Sequence, residues 1–270
     1  MYQEDDFLNF LKMSVLFVLF VFYMLICKMD VIPKALITPL KRASAICRCF
    51  FRASKGEKQM AYKSTQNYEN LQKTIFKGAG RYQIPVIAPV QYDTCEWIGF
   101  NYALRAGNRS DKGVHFFLDD YQFNRVWTNV DRYTEVLSEF AYVMSPDYSL
   151  YADFPLATQI YNHYRKHWLA AYWQQYGIKV IPTICWSDRA SYEWCFDGEP
   201  VNSTVAVSAI GTQNSMEKKR LFMEGYEAMV ERLQPEKIIF YGRVPDECKG
   251  NIVRIKSFCE KFHEAEAAQW

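Results

Sequence analysis

Residues 114–120 read VHFFLDD. The first five form a short apolar run around one histidine, the pattern of a strand buried on both faces of a parallel sheet. Two aspartates end the run. Asp120 can cap a following helix, whose apolar positions Phe123, Val126, Trp127 and Val130 continue through Val136, Leu137 and Phe140 at helical spacing. A second short apolar run, Tyr142, Val143 and Met144, comes next. Strand, helix, strand in this order implies a parallel pair joined by a right-handed crossover.

Reading outward, the same alternation recurs. Further strand candidates are residues 85–90, 97–102, 180–184, 205–210, 238–241 and 252–255. A second helix is expected after Asp153, with Pro155 in its first turn and an apolar stripe of Leu156, Ile160, Tyr164 and Trp168, ending at Gly177. Asn214 and Glu217 read as a capping box for a third, carrying Phe222, Gly225, Tyr226, Met229 and Leu233 and stopped by Pro235. Eight strands suggest a (β/α) barrel, yet no helix fits between the first two or the last two. The expectation is an α/β fold, rich in parallel strands: a layered or irregular (β/α) barrel-like single domain over residues 60–270. A doubly wound open sheet is the alternative.

The 270 residues are 50% hydrophobic and 23% charged, which excludes a disordered chain. Residues 1–59 hold 9 of the 32 basic and 5 of the 30 acidic residues, so the remainder carries 23 basic against 25 acidic. A mildly acidic domain is a poor ligand for duplex nucleic acid. Eight cysteines without a C-x-x-C pair read as reduced thiols and a cytoplasmic setting.

Residues 13–27 are an uninterrupted apolar run, with Glu4, Asp5 and Asp6 before it and eight Lys or Arg between Lys28 and Lys58 after it. One reading makes 1–59 a transmembrane anchor with the following domain on the cytoplasmic side. The other makes Met60 the true start, because Lys55-Gly56-Glu57 just upstream can be the in-frame translation of a purine-rich ribosome-binding site.

Long distinctive words lie between residues 84 and 258: IGFNYAL (98–104), GVHFFLDDYQF (113–123), SPDYSLY (145–151), QIYNHYRKHW (159–168), GIKVIPTICWSD (177–188), FDGEPVNSTVAVSAIGT (196–212) and LQPEKIIFYG (233–242). In these words the chain resembles an uncharacterised family of phage and mobile-element proteins, domain of unknown function 4417. The resemblance implies a phage or prokaryotic source and a stand-alone cytosolic domain, and it implies no activity. Residues 1–59 fall outside it, which favours the Met60 start.

In parallel α/β folds ligands bind at the carboxyl ends of the strands. Those ends supply Asp119, then Ser145, Asp147 and Ser149, then Trp186 and Asp188, then Ser208, then Tyr241. Asp147, Asp119 and Asp188 are the candidate catalytic carboxylates, able to divide acid and base roles or to hold Mg²⁺ or Mn²⁺. Trp186, Ser145, Ser149, Ser208 and Tyr241 are the candidate substrate-binding residues. Asp120 and Asp188 can equally serve as helix caps. His115 reads as a core histidine, while His163, Arg165, Lys166 and His167 read as a solvated helix face. Cys185 and Cys195 read as core thiols. The aromatic content, 17%, with Tyr148, Tyr151, Tyr192 and Trp194 near the strand ends, suits stacking on bases or sugars. The expected function is an enzyme acting on a nucleotide, sugar or nucleic-acid end. The alternative is a non-catalytic protein that binds a host protein or single-stranded nucleic acid.

Overall fold

A computed structural model describes residues 69–267. The 1–59 extension and its apolar run lie outside the described residues. Among the described residues no helix is long and apolar enough to cross a membrane.

The strands are β1 (Gly78–Ala79), β2 (Ile84–Pro85), β3 (Glu96–Gly99), β4 (Lys112–His115), β5 (Tyr142–Met144), β6 (Val180–Ile181), β7 (Thr204–Ser208), β8 (Lys237–Tyr241) and β9 (Ile252–Ile255). The helices are α1 (Asp120–Phe123), α2 (Arg125–Thr128), α3 (Val130–Leu137), α4 (Leu156–Gln175), α5 (Met216–Leu233) and α6 (Phe258–Ala267). β1 and β2 form a small antiparallel hairpin. β3-β4-β5-β6 is one parallel sheet and β7-β8-β9 another. A single parallel bridge, Thr183 to Ala206, carries the order from β6 to β7.

The strands therefore follow one another in chain order. This overturns the doubly wound alternative, which requires the order to reverse at a switch point. It also corrects the barrel: among the described residues β3 and β9 do not pair, and no barrel closes. Two features keep it open. The candidate strand at 85–90 is reduced to Ile84–Pro85 in the hairpin, since Pro85 and Pro89 have no N–H for a ladder. Beside β3 lies a cavity of about 630 Å³ walled by β3 and the start of α6. Lys261 of α6 reaches across to the Trp97 carbonyl of β3, 3.4 Å away.

Alternation along the second sheet divides the core. Ala206, Ile239, Tyr241 and Ile255 join Val114, Phe116, Val143, Met144, Trp168 and Val180 in one cluster. Val205, Val207, Ile238 and Phe240 point the other way, onto Ile184, Trp194, Phe222, Tyr226 and Met229 in a second. β7 and β8 are covered on both faces and read as continuous apolar runs, while β9 at the edge keeps Arg254 exposed.

The helices depart from expectation at their ends. The helix after the VHFFL strand is broken into α1, α2 and α3. The N-cap of α1 is Asp119, without a side-chain cap bond. α4 begins after Pro155 and uses no Asp153 cap. The cap of α5 is Ser215, whose hydroxyl accepts from the Lys218 amide at 3.2 Å.

The expected stripe on α4 holds only in part: Trp168 is fully buried, and Ile160 and Tyr164 pack on the core from its edge. Leu156 is exposed, Ile160 and Tyr164 are half-buried, and Gln159, Asn162, His163, Lys166 and His167 are buried. These polar residues tolerate burial because other parts of the chain supply their partners.

Candidate functional site

At the carboxyl ends of β4, β5, β7 and β8 a cavity of about 580 Å³ opens. Its lining includes Asp119, Asp147, Ser149, Ser208 and Tyr241, all chosen from the sequence, together with Asp120, Tyr151 and Phe154. The loop after β5 is tied down on both sides. Ser149 donates from its amide (3.2 Å) and its hydroxyl (2.9 Å) to the Asp120 carboxylate, and Asn162 of α4 donates to the Ser149 carbonyl at 2.8 Å. Asp120 is thus no helix cap. It fastens the end of β4 to the loop that carries Asp147.

Asp147 is half-buried in this cavity. Burial raises its pKa, Lys166 pulls it back, the charge of Asp120 adds to the rise and a hydrogen bond from Cys185 opposes it, and the net is a pKa pushed up to about 7. A carboxyl group that is half-protonated near neutral pH can both donate and accept a proton. Asp119 is exposed at the rim, where the Gln122 amide reaches it at 3.4 Å. Ser208 donates to the Tyr241 carbonyl at 3.3 Å, and the Tyr241 hydroxyl accepts from the Phe258 amide at 3.1 Å, anchoring α6. Tyr151 and Phe154, edge to face at 5.1 Å, form an aromatic wall.

Three sequence candidates sit elsewhere. Ser145 is buried and locked to Thr183, accepting from its amide at 2.8 Å and receiving its hydroxyl at the Ser145 carbonyl. Trp186 packs on Phe222, and Gly225 of α5 leaves room for its indole. Asp188 caps the short 3-10 turn Arg189–Glu193, accepting from the amides of Ala190 and Ser191 at 3.1 and 3.2 Å. Of the aromatics expected near the strand ends, Tyr148, Tyr192 and Trp194 are buried, and only Tyr151 lines the cavity.

A second polar cluster lies under α4, where a solvated face was expected. The Lys166 ammonium donates to Glu199 Oε1 at 2.6 Å and to the Thr183 carbonyl at 2.9 Å. His167 lies between Glu199 Oε1 (2.9 Å) and the Pro85 carbonyl (2.8 Å), and His163 Nε2 is 3.2 Å from the Asp197 carbonyl. All these side chains are buried. Burial pushes Glu199 up, but Lys166 and His167 outweigh it and the net pKa falls below the usual glutamate value. Burial pushes Lys166 down, and Glu199 more than reverses this. Burial holds His163 and His167 below the ordinary histidine value.

Among the described residues, His163, His167 and Glu199 are the group whose spacing could hold a metal ion. The Lys166 ammonium already occupies Glu199 Oε1, so a cation there would face a like charge at close range. The cluster instead ties α4 to the β1–β2 hairpin and to the loop around Glu199. Sequence reading missed it because its partners lie 32 and 33 residues apart along the chain.

The family described as "Domain of unknown function (DUF4417)" matches residues 76–259. The "Gene 1 protein" of Mycobacterium phage L5 is 35% identical over 195 residues, covering 70% of this chain and 85% of that protein. The "Gene 1 protein" of Mycobacterium phage D29 is 36% identical over 199 residues, covering 70% and 72%. No solved structure matches.

Proposed function

The chain belongs to this domain family of unknown function, shared with phage proteins, and we propose that it works in the cytoplasm as an enzyme on a nucleotide, sugar or nucleic-acid end. One observation carries the reading: Asp119, Asp147, Ser149, Ser208 and Tyr241, from four separate strand ends, line a single cavity. Asp147 is the group that moves the proton. Asp119 and Asp120 supply the oxygen ligands that Mg²⁺ or Mn²⁺ favours, or orient a substrate hydroxyl. Ser149 and Ser208 position polar substrate atoms. Trp186, Ser145 and Asp188 shape the fold around the cavity and take no part in the chemistry.

A second reading draws on the rim. Tyr121, Tyr151 and Ile210 line the cavity and are 79%, 59% and 58% exposed, more apolar surface than a small substrate needs. That suits a non-catalytic protein whose partner is a host protein or single-stranded nucleic acid.

Thermal melting of the full chain separates the two. The additives are Mg²⁺, Mn²⁺, nucleotides, sugar phosphates and short oligonucleotides. A ligand at a hundred times its Kd adds about 2.7 kcal/mol, a shift of roughly 5–10 °C for a domain of this size. The enzyme reading expects such a shift with a cation or small phosphate ester, altered in Asp147→Asn. No shift with any of them refutes it and leaves the partner-binding reading.

A further inference from the structure

The larger cavity between β3 and α6 is not a separate feature. It shares Phe117, Leu118, Gln122, Ile210 and Tyr241 with the carboxylate cavity, so the two adjoin at the strand ends. Their chemistry differs. The first is lined by carboxylates and hydroxyls. The second is lined by rings, among them Trp97, Phe117, Tyr241, Phe258 and Phe262, with Lys256 and Lys261 at its edge.

Two polar side chains are buried in that aromatic part, and while Ser257 is bonded to Glu260, His115 is not satisfied. His115 is 5% exposed, lines the cavity and has no hydrogen-bond partner at Nδ1. Its ring lies 4.7 Å from Tyr241, which in turn stacks on Phe117 at 4.9 Å and 19°. A buried polar atom left unpaired is costly, and a ligand that supplies its partner recovers that cost.

We propose that this aromatic annex is the base pocket of the proposed substrate site: it takes the nucleobase of a nucleotide, with His115 bonding to the base edge and the reacting end among Asp119, Asp120 and Asp147. The inference rests on the enzyme reading above and narrows its substrate from nucleotide or sugar to nucleotide. Burial, with Lys261 nearby, pushes the His115 pKa down to about 3, so the imidazole is neutral at physiological pH. A neutral imidazole offers one donor and one acceptor, which matches the polar edge of a base better than a phosphate. The ring walls supply the stacking surface that any base can use. The lysines lining the annex supply positive charge that favours an anionic nucleotide over a neutral nucleoside. Gly99 keeps the floor open beside His115: a Cβ there would stand 3.6 Å from His115 Cε1 and 2.5 Å from the side chain of Asn101.

The test is calorimetric titration of the full chain with each of the four ribonucleoside 5′-monophosphates and with ribose 5-phosphate, the same phosphate ester without a base. At least one nucleotide is expected to bind tenfold or more tightly than ribose 5-phosphate and to quench Trp97 fluorescence. His115→Phe keeps the ring and removes both nitrogens; it is expected to abolish most of that preference while leaving ribose 5-phosphate binding unchanged. Gly99→Ala, which narrows the pocket beside the His115 ring and keeps both its nitrogens, is expected to weaken nucleotide binding alone. Equal binding of nucleotide and ribose 5-phosphate, no nucleotide binding, or full base preference in both variants overturns the inference. Asp147→Asn keeps the two levels apart. If base preference is absent but the melting response still depends on Asp147, the base pocket fails and the carboxylate site stands. If a His115-dependent base preference exists while the melting response is unchanged in Asp147→Asn, the base pocket stands and the carboxylate site fails.

Discussion

Replacing Asp147 by asparagine is the sharpest probe of the cavity, because the structure gives the effect a sign, a size and a pH window. Burial, helped by Asp120, raises the Asp147 pKa from 3.8 to about 7 in the folded chain. The folded protein therefore holds a proton that the unfolded chain releases, and its stability falls as pH climbs from about 4 through about 7. A shift of roughly three units corresponds to about 4 kcal/mol at 1.36 kcal/mol per unit. The cavity admits water, and screening by solvent reduces this to about 2 kcal/mol. Asparagine cannot ionise and escapes the whole effect. Urea unfolding of the full wild-type and Asp147→Asn chains at pH 4, 5.5, 7 and 8.5 measures it. Any constant offset from changed hydrogen bonds cancels when the pH 4 difference is subtracted. The variant should gain about 2 kcal/mol on wild type between pH 4 and 8.5, with most of the gain complete by pH 7. A difference that stays flat with pH, or one in which wild type gains, would refute the reasoning and return Asp147 to the role of an ordinary turn residue.

Two further substitutions test the surroundings. Lys166→Met leaves the Glu199 carboxylate buried without its ammonium and should cost about 3–5 kcal/mol in urea unfolding, with part recovered when Glu199→Leu is added. Because Lys166 lowers the Asp147 pKa, the same variant should move the Asp147 transition to higher pH. Gly225→Ala sets a Cβ about 2.1 Å from Trp186 Nε1, so the indole must move. The expected loss is about 1–3 kcal/mol, largely relieved by adding Trp186→Leu.

What was legible in the sequence was what is local. β5 and β9 fall on the expected residues, Tyr142–Met144 and Ile252–Ile255: β5, buried throughout, writes itself as an unbroken apolar run, and β9 at the sheet edge keeps three apolar residues around the exposed Arg254. The expected carboxyl ends hold because the strands hold. Asp147 and Ser149 follow β5 by a few residues, wherever the rest of the chain goes. Trp186 and Asp188 likewise follow β6 within a short loop, yet they turn away, because Trp186 finds its packing on α5 and Asp188 finds two amides in its own turn. Sequence distance from a strand end does not say which way the loop will bend.

The errors share one cause. Lys166, His163 and His167 look like a solvated face because each, alone, belongs in water. They are buried because Glu199, Thr183, Asp197 and Pro85 supply bonding partners from distant parts of the chain. Asp120 looks like a cap because it precedes a helix, yet its partner is Ser149, 29 residues on. Hydrophobic periodicity reports which surface is covered by oil-like neighbours, and it is silent on surfaces covered by reciprocal polar bonds. Lys166 shows why that silence matters. The ammonium that holds Glu199 also draws the Asp147 pKa down. The charge that ties α4 to Glu199 and to the Thr183 carbonyl is therefore also one of the charges that tunes the proton at the strand ends, and scaffold and site answer to the same side chain.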